Sequence, residues 1–119
     1  MKGKIGFVET PPEIANLMVE LASVPKNAFV LDTGCGKGVF LKALERYRYE
    51  NVYGIEIDKE FYQFCENRFG KNFKIIFGDF LTYRFNQKFD LIIGNPPYVH
   101  FNQLPTKISN IVRKDNKHK

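Results

Sequence analysis

The chain has few of the residues that build metal sites and disulfide frameworks. Among its 119 residues are two cysteines and two histidines. Cys35 and Cys65 stand 30 positions apart, with no CxxC or Cys/His spacing, so neither a zinc site nor a disulfide framework is supported. Two reduced thiols are the plain reading, and no metal is expected. Long apolar runs are also missing. Nothing approaches the ~18 consecutive residues of a membrane span, and Met1-Lys2-Gly3-Lys4-Ile5-Gly6 carries no apolar signal core. A soluble cytoplasmic protein without a membrane partner is the expectation. A strong excess of one charge is absent over most of the length. The 18 Lys+Arg exceed the 13 Asp+Glu, but +3 of the formal +5 falls within residues 113–119, leaving +2 for the first 112 residues. Charge alone is therefore weak ground for nucleic-acid binding. The 44% hydrophobic content argues against wholesale disorder, and the length allows one domain. We place that domain at residues 1–112, followed by a basic, solvated tail at residues 113–119.

What is present is an alternation of helical and extended patterns. Thr10-Pro11-Pro12-Glu13 reads as a helix start, with Thr10 as cap, proline at the first helical position and Glu13 completing a capping box. Ile14, Leu17, Met18 and Leu21 repeat at helical spacing until Pro25 stops the pattern. Ala28 to Asp32 is a short apolar strand, and Phe40, Leu41, Leu44 and Tyr47 give the next helix a buried stripe. Val52 to Ile57 reads as a second strand. Lys59 to Phe69 is a helix with Phe61, Phe64, Cys65 and Phe69 facing inward. Phe73 to Phe77 and Phe89 to Gly94 supply two more strands. Strands alternating with helices imply an α/β domain with a mainly parallel sheet.

The first strand runs into Asp32-Thr33-Gly34-Cys35-Gly36-Lys37-Gly38, a D-x-G-x-G-x-G loop between strand and helix. Such a loop lets a ligand approach the backbone closely and aims helix N-terminal N–H groups at it. A P-loop is excluded because Lys37 is followed by Gly38 instead of Ser or Thr. A dinucleotide fingerprint is a poor fit, because the third glycine comes one position early. Glu56 ends strand two, 18 residues after Gly38, where an acid can take both ribose hydroxyls of a nucleoside. Asp79 follows strand three and can accept from an exocyclic amine, while Phe80 can stack on an adenine ring. Singly these acids read as caps or solvated residues. In this order, each after a successive strand, they read as a nucleoside site. Cys35 reads as a loop filler, Lys37 as a solvated helix-start residue and His100 as an inert loop residue.

Strand four ends in Asn95-Pro96-Pro97-Tyr98. Alone, this tetrad can also be read as a proline-stiffened turn or a proline-rich ligand motif. At a strand end downstream of the glycine loop it suits methylation of a planar amine. Such a nitrogen is a poor nucleophile because its lone pair is delocalised. The Asn95 side-chain oxygen and the Pro96 carbonyl, aimed at its two N–H bonds, favour the pyramidal form that can attack a methyl group. The two prolines preorganise those acceptors. Tyr98 offers a flat face on which a base can stack.

The loop resembles motif I of the S-adenosylmethionine-dependent methyltransferases. The wider set, Val8-Glu9-Thr10-Pro11-Pro12-Glu13, the loop, Glu56, Asp79-Phe80 and Asn95-Pro96-Pro97-Tyr98, has the order of the gamma-class N6-adenine DNA methyltransferases of restriction–modification systems. Roughly residues 5 to 104 carry the resemblance. It implies a class I methyltransferase fold, Rossmann-like, with a parallel sheet in the order 3-2-1-4. It implies S-adenosylmethionine as cofactor, bound by Thr10, Asp32, Gly34, Gly36, Glu56, Asp79 and Phe80. Asn95, Pro96, Pro97 and Tyr98 would be catalytic, and Val8, Asn95 and Tyr98 would meet the substrate, a flipped adenine in double-stranded DNA. The same tetrad serves protein-glutamine and ribosomal RNA N-methyltransferases, which stay open as alternatives, as does a non-catalytic fragment that needs a second chain.

Members of that family continue for several further strands and a target-recognition region, so the resemblance implies a partial sheet that lacks the later strands. The link from strand three to strand four, Gly78 to Lys88, has eleven residues, too few for a covering helix. One sheet face and the edge at strand four are then expected to be bare. Self-association into a homo-oligomer, or a partner chain supplying the missing strands and the recognition region, follows as an expectation.

Overall fold

The computed structural model describes residues 9–94, which fall within one compact unit. Val8, Asn95-Pro96-Pro97-Tyr98, His100 and the expected boundary at residue 112 lie outside the described residues. Proline sets the first boundary. Pro11 is extended, at φ −61 and ψ 144, because the ring of Pro12 pushes the preceding residue out of the helical region. Helix α1 therefore spans Pro12–Ala22, its N-cap is Pro11, and the cap makes no side-chain hydrogen bond. The cap position expected for Thr10 is thus taken one residue later, which puts the capping box read from the sequence out of register. Strand β1 (Phe29–Asp32), helix α2 (Val39–Arg46), strand β2 (Asn51–Glu56), helix α3 (Lys59–Phe69) and strands β3 (Lys74–Phe77) and β4 (Leu91–Ile93) follow. Asp58 caps α3 by accepting from Phe61 N–H at 3.1 Å.

Strand pairings among the described residues are parallel and the strand order is β3-β2-β1-β4, as the sequence reading expects. Register decides which residues share a face. Val30 pairs with Val52 and Leu91, Asp32 with Gly54 and Ile93, and Gly54 with Ile75. Val30, Val52, Ile75 and Ile93 form the main core with Phe40, Leu41 and Leu44 of α2 and Cys65 and Phe69 of α3. Phe29, Leu31, Tyr53 and Ile55 therefore point to the other face.

That other face is not bare, contrary to expectation. The β3–β4 link is indeed too short for a helix, but it covers the face with rings. Tyr83 packs on Phe85, Phe85 on Phe89, and Phe89 on Tyr53, with centroids 4.7, 5.3 and 5.2 Å apart. Tyr53 in turn meets Phe29. Phe85 and Phe89 are half-buried and Tyr83 is exposed, so three aromatics in an irregular segment give this face a partial cover. Leu31 and Ile55 on this face are 1% and 0% exposed.

Two helical faces also differ from the sequence pattern. Phe64 is 50% exposed, whereas Phe61, Cys65 and Phe69 are buried. Those three recur every fourth residue, and Phe64 lies ~100° round the helix from the centre of their stripe. In α1 the buried residues are Ala15 and Val19, which are small enough for close packing on α2. Ile14, Leu17, Met18 and Leu21 face outward, at 46, 48, 41 and 70% exposure. Among the described residues, β4 pairs only with β1, so its outer edge has no strand beside it. No helix among the described residues is long and apolar enough to cross a membrane.

Candidate cofactor site

Because the strands run parallel, Asp32, Glu56 and the Gly78-Asp79-Phe80 segment leave the sheet at one edge, the carboxyl edge where open α/β sheets bind ligands. The glycine loop is folded onto that edge by its own backbone. Thr33 N–H donates to the Ile93 carbonyl at 3.0 Å, Cys35 N–H to the Ile55 carbonyl at 3.2 Å, and Gly38 N–H to the Cys35 carbonyl at 2.7 Å. Gly34 N–H reaches Asp32 Oδ1 at 3.2 Å, and Gly36 N–H reaches Glu56 Oε1 at 2.8 Å. These five loop amides are engaged within the fold, so what this stretch offers a ligand is close backbone approach. Gly38 is obligatory here, since at φ 82 a Cβ would stand 2.6 Å from the Phe69 ring.

Glu56 is 9% exposed and is oriented at both carboxylate oxygens. Gly36 N–H donates to Oε1, and Asp58 N–H donates to Oε2 at 3.0 Å. The acid at the end of β2 and the glycine loop after β1 are therefore one assembly, joined across 20 residues of sequence. Asp79 does a local job as well. Its Oδ1 accepts from Leu81 N–H at 2.9 Å, and its carbonyl accepts from Thr82 and Tyr83 N–H. This turn holds Asp79 and Phe80, both half-buried, at the end of β3. Thr10 is 9% exposed. Its neighbour Glu9 pairs with Lys37 of the loop at 3.7 Å, which brings that segment beside the site. Both side chains of the pair are more than half exposed, so the contact adds little stability.

Ile57 is a candidate that pattern reading did not single out. It is 58% exposed directly after Glu56, at the level where β2 pairs with the end of β3 through Glu56 and Phe77. Phe77 is 53% exposed and packs on Tyr62 at 5.3 Å. An isoleucine left in solvent beside a strand-end acid can form an apolar wall for a flat ring. The usable signal was the apolar residue continuing the strand past the acid.

Asp32 is the unusual group. It is fully buried, Oδ1 accepts from Gly34, and Oδ2 has no hydrogen-bond partner among the described residues. Burial raises its pKa to about 7, the Gly34 N–H opposes the rise, and the charge of Glu56 adds to it. The folded chain holds this proton more tightly than the unfolded chain, whose aspartate titrates near 3.8. Below that value the residue has no effect on the pH dependence. Stability is lost as pH rises from about 4 to about 7, and the loss then levels off. Asp32→Asn should flatten this slope. Denaturant titrations at pH 5 and pH 8 would show it as a smaller stability difference than in wild type, and an unchanged difference would refute the assignment.

Comparison with known proteins decides what this edge belongs to. The methyltransferase domain family matches residues 30–114. The chain belongs to that family. It is 42% identical over 59 residues to the type II methyltransferase M.TthHB8I of Thermus thermophilus, a match covering 45% of this chain and 13% of that protein. It is 46% identical over 57 residues to the type I restriction enzyme MjaVII methylase subunit of Methanocaldococcus jannaschii, covering 47% and 10%. The chain therefore spans a small part of the length of the curated relatives it matches. Among solved structures, a dimethyladenosine transferase from Plasmodium falciparum superposes with a TM-score of 0.71 at 26% identity, covering 87% of this chain and 38% of that one. The fold is that of the class I methyltransferases, present in part, and family and fold support S-adenosylmethionine as its cofactor.

Proposed function

We propose that residues 1–112 form the cofactor-binding part of an S-adenosylmethionine-dependent methyltransferase that acts on the N6 amine of adenine in double-stranded DNA. The observation that carries the reading is the joining of Glu56 to Gly36 at the carboxyl edge, with a strand leading to Asn-Pro-Pro-Tyr two positions away in the sheet. The residues suit the cofactor. Glu56, held by two amides, is placed for ribose hydroxyls. Ile57 and Phe80 offer apolar surface to the adenine, with Asp79 as acceptor for its amine. Asp32, buried under the loop, serves the cofactor by bracing Gly34, and Thr10 is assigned to the methionine end. When bound, the cofactor supplies the electrophilic methyl group. Asn95 and the Pro96 carbonyl would accept from the target amine, Pro97 would hold the turn, and Tyr98 and Val8 would line the place of the extrahelical base.

Relatives named as restriction–modification methyltransferases support DNA as substrate, and the dimethyladenosine transferase supports an adenine amine as acceptor. A cytoplasmic location fits that role. The edge of β4, which has no strand beside it among the described residues, and the outward apolar residues of α1 suit polypeptide that extends the sheet, from a partner chain or a second copy.

Calorimetry with S-adenosylhomocysteine tests the cofactor site. Glu56→Ala should weaken binding about tenfold to a hundredfold, because it leaves polar groups unpaired in a partly desolvated site. A folded wild-type chain that does not bind, or an unaffected variant, would count against it. Transfer of labelled methyl groups to adenine in duplex DNA, compared with ribosomal RNA and a glutamine peptide, separates the substrate classes.

A further inference from the structure

Glycine is the residue least able to hold its own backbone, since it samples left- and right-handed regions about equally. Gly36 sits in the left-handed region, at φ 51, in the middle of the cofactor loop. Both of its peptide groups are tied down. Its N–H donates to Glu56 Oε1 at 2.8 Å, and its carbonyl accepts from the Cys65 thiol at 3.3 Å. Cys65 lies on α3, 29 residues further along, and is completely buried. Its side chain belongs to the core beneath the loop.

We infer that Cys65 is a positioning residue for cofactor binding: its thiol fixes the Gly36 carbonyl, so that the loop holds its binding shape before the ligand arrives. The inference rests on the cofactor reading of the loop. An ordered loop avoids the loss of backbone freedom that would otherwise accompany binding. The surroundings fit a donor role for the thiols. Cys35, also buried, points its own S–H at the Ile55 carbonyl, 3.7 Å away. The neighbouring Cys65 thiol, burial and the carboxylates of Asp32 and Glu56 push the Cys35 thiol up, away from nucleophilic thiolate chemistry. Gly54 makes room for this pair, because a Cβ at that position would collide with Cys35 Sγ. The same helix also serves Glu56, whose Oε2 accepts from the backbone of Asp58, the α3 cap. One helix thereby holds both the ribose acid and the loop.

The test compares Cys65→Ala, which removes the donor, with Cys65→Ser, which keeps one. Three readouts are needed: S-adenosylhomocysteine affinity by calorimetry, the thermal midpoint, and hydrogen exchange at the Gly36 and Lys37 amides. Cys65→Ala should weaken binding about three- to tenfold and speed exchange at those amides. Cys65→Ser should bind within about twofold of wild type, whichever variant melts lower. Wild-type affinity in Cys65→Ala, or affinities that follow the melting order instead of the presence of a donor, would overturn the inference. If the wild-type chain fails to bind the ligand, the cofactor reading fails. Exchange at Gly36 and Lys37 would still decide the clamp, since only a thiol that holds the loop makes the alanine variant exchange faster than the serine variant.

Discussion

Asn95→Ala is expected to lower the turnover of methyl transfer to DNA adenine by about 10²–10³-fold while leaving S-adenosylhomocysteine affinity within about twofold of wild type. The asymmetry follows from when the side chain acts. A planar amine gains little from an acceptor in its ground state. It gains much as the nitrogen becomes pyramidal and its N–H bonds turn acidic. Removing the Asn95 oxygen therefore withdraws stabilisation from the transition state and very little from the bound cofactor. Single-turnover transfer in the enzyme that contains this chain, with affinity measured separately, is the check. Near-normal turnover would remove Asn95 from the chemistry. An equal loss in cofactor affinity would reassign it to binding.

The second large effect is expected one residue earlier, and it acts through the fold. Gly94 has φ +130, a conformation that side chains rarely adopt. A Cβ at this position would lie 2.7 Å from Asp32 Oδ1, 3.0 Å from Thr33 Oγ1 and 3.1 Å from Thr33 N. None of these can retreat easily: Asp32 is fully buried, and Thr33 N–H is bonded to the Ile93 carbonyl. Backbone strain of ~1–3 kcal/mol and overpacking of similar size should together destabilise Gly94→Ala by about 2–5 kcal/mol. In a domain of this size the thermal midpoint should fall by roughly 10 °C or more. A variant melting within a few degrees of wild type would show that the contact relaxes freely. The same packing has a functional side. Gly94 rests on the first residues of the glycine loop and immediately precedes Asn95 in the sequence.

The order of elements was legible because it is written in local signals. Alternating apolar runs and glycine or proline breaks put α3 at Lys59–Phe69 and located the four strands among the described residues. The sheet order was available through resemblance, and its physical basis is simple: parallel strands joined by right-handed crossovers leave few arrangements. Asp32, Glu56 and Asp79 were visible as acids at strand ends.

What the sequence could not decide was which of two apolar faces turns inward, and what covers a surface when no helix is available. Ile14, Leu17, Met18 and Leu21 make a better helical stripe than Ala15 and Val19, yet the small residues are buried, because close approach to α2 rewards size fit over hydrophobicity. The aromatic cover of Tyr83, Phe85 and Phe89 has no periodicity to read, since rings in an irregular segment meet the sheet wherever the chain passes. The identity of the acids came from the residues alone, while their states came from tertiary contacts. Glu56 is oriented by amides of Gly36 and Asp58, and Asp32 is pushed toward neutrality by burial. Short-range pattern determined the elements and the chemical groups at their ends, because those depend on neighbours in sequence. Facing, cover and protonation depend on neighbours in space, and only the folded chain supplies them.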